Sequence, residues 1–515
     1  MIGAPTFGGA RDVIDFVYGM DPVVAEDVDY QQIQDQVMRF SPVEPVSPEF
    51  DRQVSQWTNA LANYREEARR LAFARGFSVP IYDSLQEYAD NVRPPFALDE
   101  VRPESDPLPS SWTLLNRNVG LPVGLPASVL TRNKAWIEGF ANLGYTVFVV
   151  KTVRSFEHPG YTGQQNWIFA DPQLPPYYPG ELGKRLHESV HGDERFWPES
   201  LEAFSTLNAF GVPSPDPEVW MKDVHSLAAE IDGNGRLLIV SVVGHYEKLH
   251  DEPEKLIEDF VKVAEMAGRA GAMAVELNLS CPNHPPPHND PICSNPDLTL
   301  AIVEAVRDRL PSWIGLIAKV SYLSREEMES VLVPLLPYVD GIAGINTLQV
   351  HTDAFAQTDV AGLSGLALRP LTEDFVVQLD ALRAEHHASF DIFATGGIMS
   401  AEDAAHIYDL GADCVLSASA ANFNARLAFD CADLVRTRGA FAPRQSSDHF
   451  DRDEIIDEIQ SVLKGQKSLT VGQLIARTTY PPEAIQETLA FMKGRGLVDD
   501  EGYDDLRGTS YRVAV

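Results

Sequence analysis

The feature that most constrains this chain is a series of eight short runs rich in Val, Ile and Leu, most of them followed by a segment with helical spacing. They are LPVGLPASV (121–129), TVFVVKTV (146–153), RLLIVSVVG (236–244), MAVELNLS (273–280), LIAKVSY (316–322), GIAGINT (341–347), DIFATGG (391–397) and CVLSAS (414–419). Near-continuous apolar strands joined by crossover helices imply a parallel sheet buried on both faces. Eight such units predict an α/β chain whose sheet closes into a (β/α)8 TIM barrel. The interval 155–234 is too long for one crossover and predicts an insertion over the barrel mouth.

Two zones flank the barrel, which is assigned to residues 106–445. Residues 1–105 are polar and acidic, with helical periodicity over Asp51–Arg75, and read as an N-terminal, mainly helical extension closed by the Pro-rich stretch Arg93–Pro109. Residues 451–515 carry three helical patterns followed by LVDDEGYDDLRGTSYRVAV, an expected β-hairpin. That order resembles a winged helix-turn-helix. The zone holds twelve acidic and eight basic residues, with DDEGYDD where a DNA-binding wing needs Lys and Arg. It therefore reads as a protein-contact or lid module.

Charge excludes further classes. Against 41 basic side chains stand 75 acidic ones, a formal net charge of −34, which repels phosphate backbones and anionic lipid. Apolar stretches are strand-sized, short of the roughly 20 residues that cross a bilayer. The first residues lack the charged and apolar regions of a secretory signal. The expectation is a soluble, cytoplasmic protein with no nucleic-acid or membrane partner. Four cysteines with no C-x-x-C pair make neither a disulfide framework nor a thiolate metal cluster.

In such a barrel the reacting groups lie at the C-terminal strand ends. Those ends are unusually polar here, offering Lys151, Asn278, Ser280, Cys281, Lys319, Asn346 and Thr347. Lysine is scarce, eleven in the chain, yet Lys151 and Lys319 stand inside apolar strands. A buried ammonium needs an anion or a strong acceptor, and two aimed at one rim point to an anionic ligand. GLSG (362–365), ATGGI (394–398) and SASA (417–420) fall in the last two units, where backbone N–H groups form the usual phosphate site. Cys281 follows a strand end among Asn278, Ser280 and Asn283, whereas Cys414 and Cys431 sit in apolar surroundings that suit inert buried thiols.

From about Val123 to Ala420 the chain resembles the FMN-dependent barrel of dihydroorotate dehydrogenases and the pyrimidine-reducing domain of dihydropyrimidine dehydrogenase. The resemblance rests on PAS (126–128), VVKT (149–152), LNAFGVP (207–213), ELNLSCPN (276–283), AKVS (318–321), INT (345–347), GLSG, ATGGI and GADCVLSASA (411–420), in the family's order. It implies an FMN-dependent oxidoreductase acting on a CH–CH bond next to a carbonyl, in dihydroorotate or another dihydropyrimidine. A related lactam or amide, and a flavin-binding scaffold or sensor without turnover, are the alternatives.

By the same resemblance Cys281 is the general base or acid, Lys319 flanks the flavin N1/O2 edge, and Lys151 lies between flavin and substrate. Asn208, Asn278, Asn283, Asn346 and Thr347 match the amide-rich substrate cradle, Asn208 and Asn278 also touching the flavin. Ala127 and Ser128 match the residues below the ring, and Gly365, Gly396, Gly397, Ala418 and Ser419 the phosphate loops. Val129, and Ala418 in place of a glycine, depart from the pattern. Electrons exchange with a soluble acceptor or a partner protein, and a homo-oligomer is compatible with the reading. His187-Glu188-Ser189-Val190-His191 spells the H-E-x-x-H zinc signature, but Gly192 follows at once where a long buried helix is required, so no metal site is expected.

Overall fold

The computed structural model describes residues 81–82, 88–89, 91–92, 94, 112–162, 166–193, 203–231, 235–245, 253–280, 291–443, 452–464, 469–470, 498–504 and 508–513, with isolated positions between 474 and 497. A hairpin of Trp112–Leu114 (β1) and Arg117–Val119 (β2) opens the described barrel region. It lies at the N-terminal ends of the barrel strands: the Leu115 amide donates to Asp391, and the Trp112 indole to the Phe441 carbonyl.

The barrel strands follow as Val123–Leu125 (β3), Val147–Val153 (β4), then, beyond three strands of the insertion, Leu237–Val242 (β8), Ala274–Asn278 (β9), Gly315–Lys319 (β10) and Gly341–Gly344 (β11), and finally Asp391–Thr395 (β14) and Cys414–Leu416 (β15). They pair in parallel and close, β15 on β3 and β9 on β10. Each overlaps one of the eight apolar runs, and only β10 begins outside its run, by one residue. Runs such as LLIVSV are buried throughout, and apolar but for Ser241, because one face fills the barrel and the other packs under helices. Local signals fix the helix starts: Ser324 and Ser400 form capping boxes with Glu327 and Asp403, and Asn133 and Asn295 cap by side chain alone. Buried Arg383 bonds the Phe390 and Gly411 carbonyls and Asp413, tying its helix to β14 and β15.

The insertion supplies Trp167–Ala170 (β5), Gly192–Asp193 (β6) and Ser205–Asn208 (β7). These join Leu348–His351 (β12) and Val360–Gly365 (β13) in a five-stranded antiparallel sheet ordered β12-β13-β7-β5-β6. GLSG therefore belongs to this cap sheet and not to a barrel turn. Thr206 and Ser364 share a 3.0 Å hydroxyl contact across it.

Ile81 and Tyr82 pack in the barrel core, and both their amides donate to the Asn422 carboxamide. The helical periodicity over 51–75 lies outside the described residues. In the C-terminal zone the helix Arg452–Leu463 and the antiparallel strands Leu469–Thr470 (β16), Val498–Asp504 (β17) and Gly508–Val513 (β18) surround a separate apolar core that includes Ile459, Leu474 and Leu489. The expected hairpin is β17–β18. The helical patterns at 471–477 and 482–495 lie largely outside the described residues. Among the described residues no helix is long and apolar enough to cross a membrane.

Candidate active site

A cavity with about 1190 Å3 of empty space, its mouth included, opens between the C-terminal ends of the barrel strands and the cap sheet. Seven of the eight barrel strands, all but β8, contribute to its walls directly or through the residues that follow them. Ala127 and Ser128 come from the turn after β3, Lys151 from β4, Asn278 from β9 and Lys319 from β10. Asn346 and Thr347 follow β11, Gly396 and Gly397 follow β14, and Ala418 and Ser419 follow β15. Asn208 and Gly365 reach it from the cap sheet. Cys281 and Asn283, also expected here, lie outside the described residues.

Lys319 is the electrostatic centre of the floor. Its side chain is 5% exposed, and Nζ lies 3.9 Å from Oε1 of Glu276, which is 1% exposed. That oxygen has no hydrogen-bond partner, so the two charges are held together by proximity alone. Two and three strands further round the barrel, the amides of Gly396, Gly397 and Ala418 have no acceptor among the described residues. Gly397 has φ +68°, and a Cβ there would stand 2.5 Å from the Arg369 nitrogen, so only glycine fits this turn.

Between them runs a carboxamide network. Asn346 Nδ2 donates to Ser280 Oγ at 3.0 Å, to the Ser280 carbonyl at 3.1 Å and to Asn278 Oδ1 at 3.3 Å, while its own oxygen accepts from the Thr347 amide at 2.9 Å. Asn278 Nδ2 donates to Thr152 Oγ1 at 3.2 Å. Asn208 donates to the Gly362 carbonyl at 2.8 Å. A Cβ on Gly362 would stand 2.4 Å from the Thr347 hydroxyl, so this glycine lets the cap approach the amide cradle. Gly362 was expected to serve a phosphate; it is absent from the cavity wall, and of the two GLSG glycines only Gly365 lines it.

Several lining residues were not among the expected site residues. Thr152 is one: strand alternation turns the neighbour of Lys151 away from the barrel interior. The β4–β8 register shifts between Val150 and Val153, and such an irregularity re-aims a side chain, so Lys151 and Thr152 both line the cavity. Trp167, Phe210 and Val212 come from the insertion, and Trp167 stacks on Phe423 with centroids 5.5 Å apart. The Ser128 hydroxyl is engaged in capping its own turn, accepting from the Leu130 amide.

The remaining chemical groups are elsewhere. His187 and Glu188 are exposed in a turn after the four-residue helix Leu182–Arg185, so the H-E-x-x-H histidines share no helix face. Among the described residues no three His, Cys, Asp or Glu side chains gather to hold a metal. Cys293, Cys414 and Cys431 are buried free thiols, and burial pushes all three above the usual thiol range.

The profile of the dihydroorotate dehydrogenase family matches residues 198–431. Over that stretch, a little under half of its length, the chain resembles the family. Its members are flavoproteins and oxidoreductases acting on CH–CH donors. A dihydroorotate dehydrogenase of Dictyostelium discoideum is 29% identical over 356 residues, covering 66% of this chain and 93% of the relative. The catalytic subunit of a dihydroorotate dehydrogenase B (NAD(+)) of Methanocaldococcus jannaschii is 29% identical over 217 residues, 41% of this chain and 64% of the relative. The NAD-dependent dihydropyrimidine dehydrogenase subunit PreA of Escherichia coli is 27% identical over 191 residues, 34% of this chain and 43% of its own length.

Proposed function

We propose that this protein is an FMN-dependent dehydrogenase that interconverts a C–C single bond and a C=C double bond beside the carbonyl of a dihydropyrimidine, dihydroorotate first among them. The observation that carries the reading is the meeting of a buried ammonium, free backbone amides and a carboxamide cluster in one cavity from seven strand ends. These groups fit a flavin mononucleotide. Lys319 suits the electron-rich edge of the ring, the amides of Gly396, Gly397 and Ala418 suit a phosphate, and Ala127, Ser128, Lys151, Gly365 and Ser419 complete the set that would hold it. When bound, the flavin supplies the two-electron partner for hydride transfer.

The chain's own residues handle the proton and the substrate. Cys281 takes a proton from the carbon alpha to the carbonyl, or returns it, as a thiol with an ordinary pKa within a couple of units of neutral can. Asn208, Asn278, Asn283, Asn346 and Thr347 grip the carbonyls and ring N–H groups, each amide offering both a donor and an acceptor. With one Nδ2 hydrogen of Asn208 committed to the Gly362 carbonyl, its oxygen can accept a ring N–H and its second N–H can donate to a carbonyl. Electrons exchange with a soluble acceptor or a partner protein; two relatives bear names of NAD-dependent subunits. The free thiols suit a reducing compartment, and we place the protein in the cytoplasm.

The test is the visible spectrum of the purified protein, followed by anaerobic titration with dihydroorotate and with dihydrouracil. Bleaching of a bound flavin by dihydroorotate is expected. Bleaching by dihydrouracil alone moves the substrate within the class. A colourless protein that refuses added FMN overturns the reading.

A further inference from the structure

We propose that Ser241, which lies outside the cavity wall, is a positioning residue that acts through Thr152 to fix which way round the Asn278 carboxamide faces the substrate. The inference rests on the substrate-binding reading of Asn278 given above. All three side chains are buried, with exposures of 0% for Ser241, 2% for Thr152 and 7% for Asn278. Thr152 Oγ1 accepts from Asn278 Nδ2 at 3.2 Å and lies 3.0 Å from Ser241 Oγ. Because Asn278 is the donor in the first contact, the Thr152 hydrogen is free to go to Ser241, and the chain runs Asn278 to Thr152 to Ser241.

A carboxamide is nearly symmetric in shape and opposite in chemistry at its two ends. Turned as found, Asn278, a residue of the cavity wall, presents Oδ1 to Asn346 Nδ2. Without Ser241 to receive it, the Thr152 hydrogen turns back toward Asn278 and meets an N–H donor. Flipping the amide relieves that conflict, since Oδ1 then accepts from Thr152 and Nδ2 faces Asn346. The flipped amide offers the substrate a donor where an acceptor stood and opposes the Asn346 donor. The register shift between Val150 and Val153 serves this arrangement, because it brings Thr152 inward beside Lys151 and within reach of the next strand.

The experiment uses the full chain loaded with FMN and compares Ser241→Ala, Thr152→Val and Thr152→Ser with the wild type. The readouts are Tm, flavin content, dithionite reduction and the Kd of orotate from its perturbation of the flavin spectrum. Ser241→Ala and Thr152→Val are each expected to raise the orotate Kd about tenfold, the scale of one oriented hydrogen bond, with flavin content and reduction retained. Thr152→Ser, which keeps the hydroxyl, restores the wild-type Kd. An unchanged Kd in Ser241→Ala overturns the inference and leaves the functional reading standing. Equal losses in Thr152→Ser and Thr152→Val overturn it in favour of packing. A wild type that holds FMN yet ignores orotate overturns the substrate reading together with the inference.

Discussion

Lys319 can be removed in a way that separates what it does for the fold from what it does for a ligand. Its ammonium and the Glu276 carboxylate are 3.9 Å apart, with side-chain exposures of 5% and 1%. At an effective dielectric of about 20 two unit charges at that separation attract by about 4 kcal/mol. Replacing Lys319 by Met keeps the bulk, removes the cation and strands a buried carboxylate, one of whose oxygens already lacks a hydrogen bond. Breaking a buried pair from one side costs about 3–5 kcal/mol, whereas neutralising both partners is often nearly free. Urea unfolding of the flavin-free protein, followed by tryptophan fluorescence, should therefore show a loss of about 3–5 kcal/mol for Lys319→Met. Most of that loss should return in Lys319→Met/Glu276→Gln. Flavin affinity should behave differently, falling at least tenfold in both variants, because the double variant recovers neutrality but not the cation. Equal stability of the single and double variants would refute the pairing argument. Wild-type flavin affinity in the double variant would refute the ligand role.

Three other outcomes follow from the same geometry. Gly397→Ala should lower stability by about 1–2 kcal/mol through its left-handed backbone and weaken FMN binding more than tenfold, checked by flavin titration; unchanged affinity would remove this turn from the phosphate site. Iodoacetamide at neutral pH should modify Cys281 well before the buried thiols of Cys293, Cys414 and Cys431, and orotate should slow the reaction, as peptide mapping would reveal. Burial, then the charge of Arg154 and the nearby His245, hold the His158 imidazole below its ordinary value of 6.5. The imidazole takes up a proton less readily in the fold than in the unfolded chain. Its contribution is therefore complete above that ordinary value and is lost as pH falls from there through the native one. His158→Gln should flatten this part of the stability profile, and parallel wild-type and variant profiles would exclude the imidazole as its source.

What could be read in advance follows from how far each signal reaches along the chain. The barrel strands are apolar on both faces, so continuous runs such as VFVVKTV announce themselves, and all eight runs hold a barrel strand. Cavity-lining residues at strand ends were equally accessible, because polarity at the end of an apolar run has few explanations. The cap sheet was not legible in the same way. It is assembled from two distant segments, as the bond from Asn208 to Gly362, 154 residues apart, shows. Strands of four residues such as Ser205–Asn208 carry too few alternations to reveal a partner. GLSG was misplaced for that reason, since a glycine pair looks alike whether it seats a phosphate or lets two sheets approach.

Thr152 is the more instructive miss. Its residue type and position were visible in VVKT, but its direction depends on a register shift against β8, and that shift exists only once both strands are paired. A strand taken alone obeys a period of two and sends Lys151 and Thr152 to opposite faces. The paired strands break that rule at one place, beside the buried cation and the amide cluster. Local regularity is given up where two adjacent side chains, Lys151 and Thr152, line one cavity and Thr152 accepts a hydrogen bond from the Asn278 amide. A substitution that restored regular alternation at this point should therefore leave the barrel intact and disturb the cavity alone.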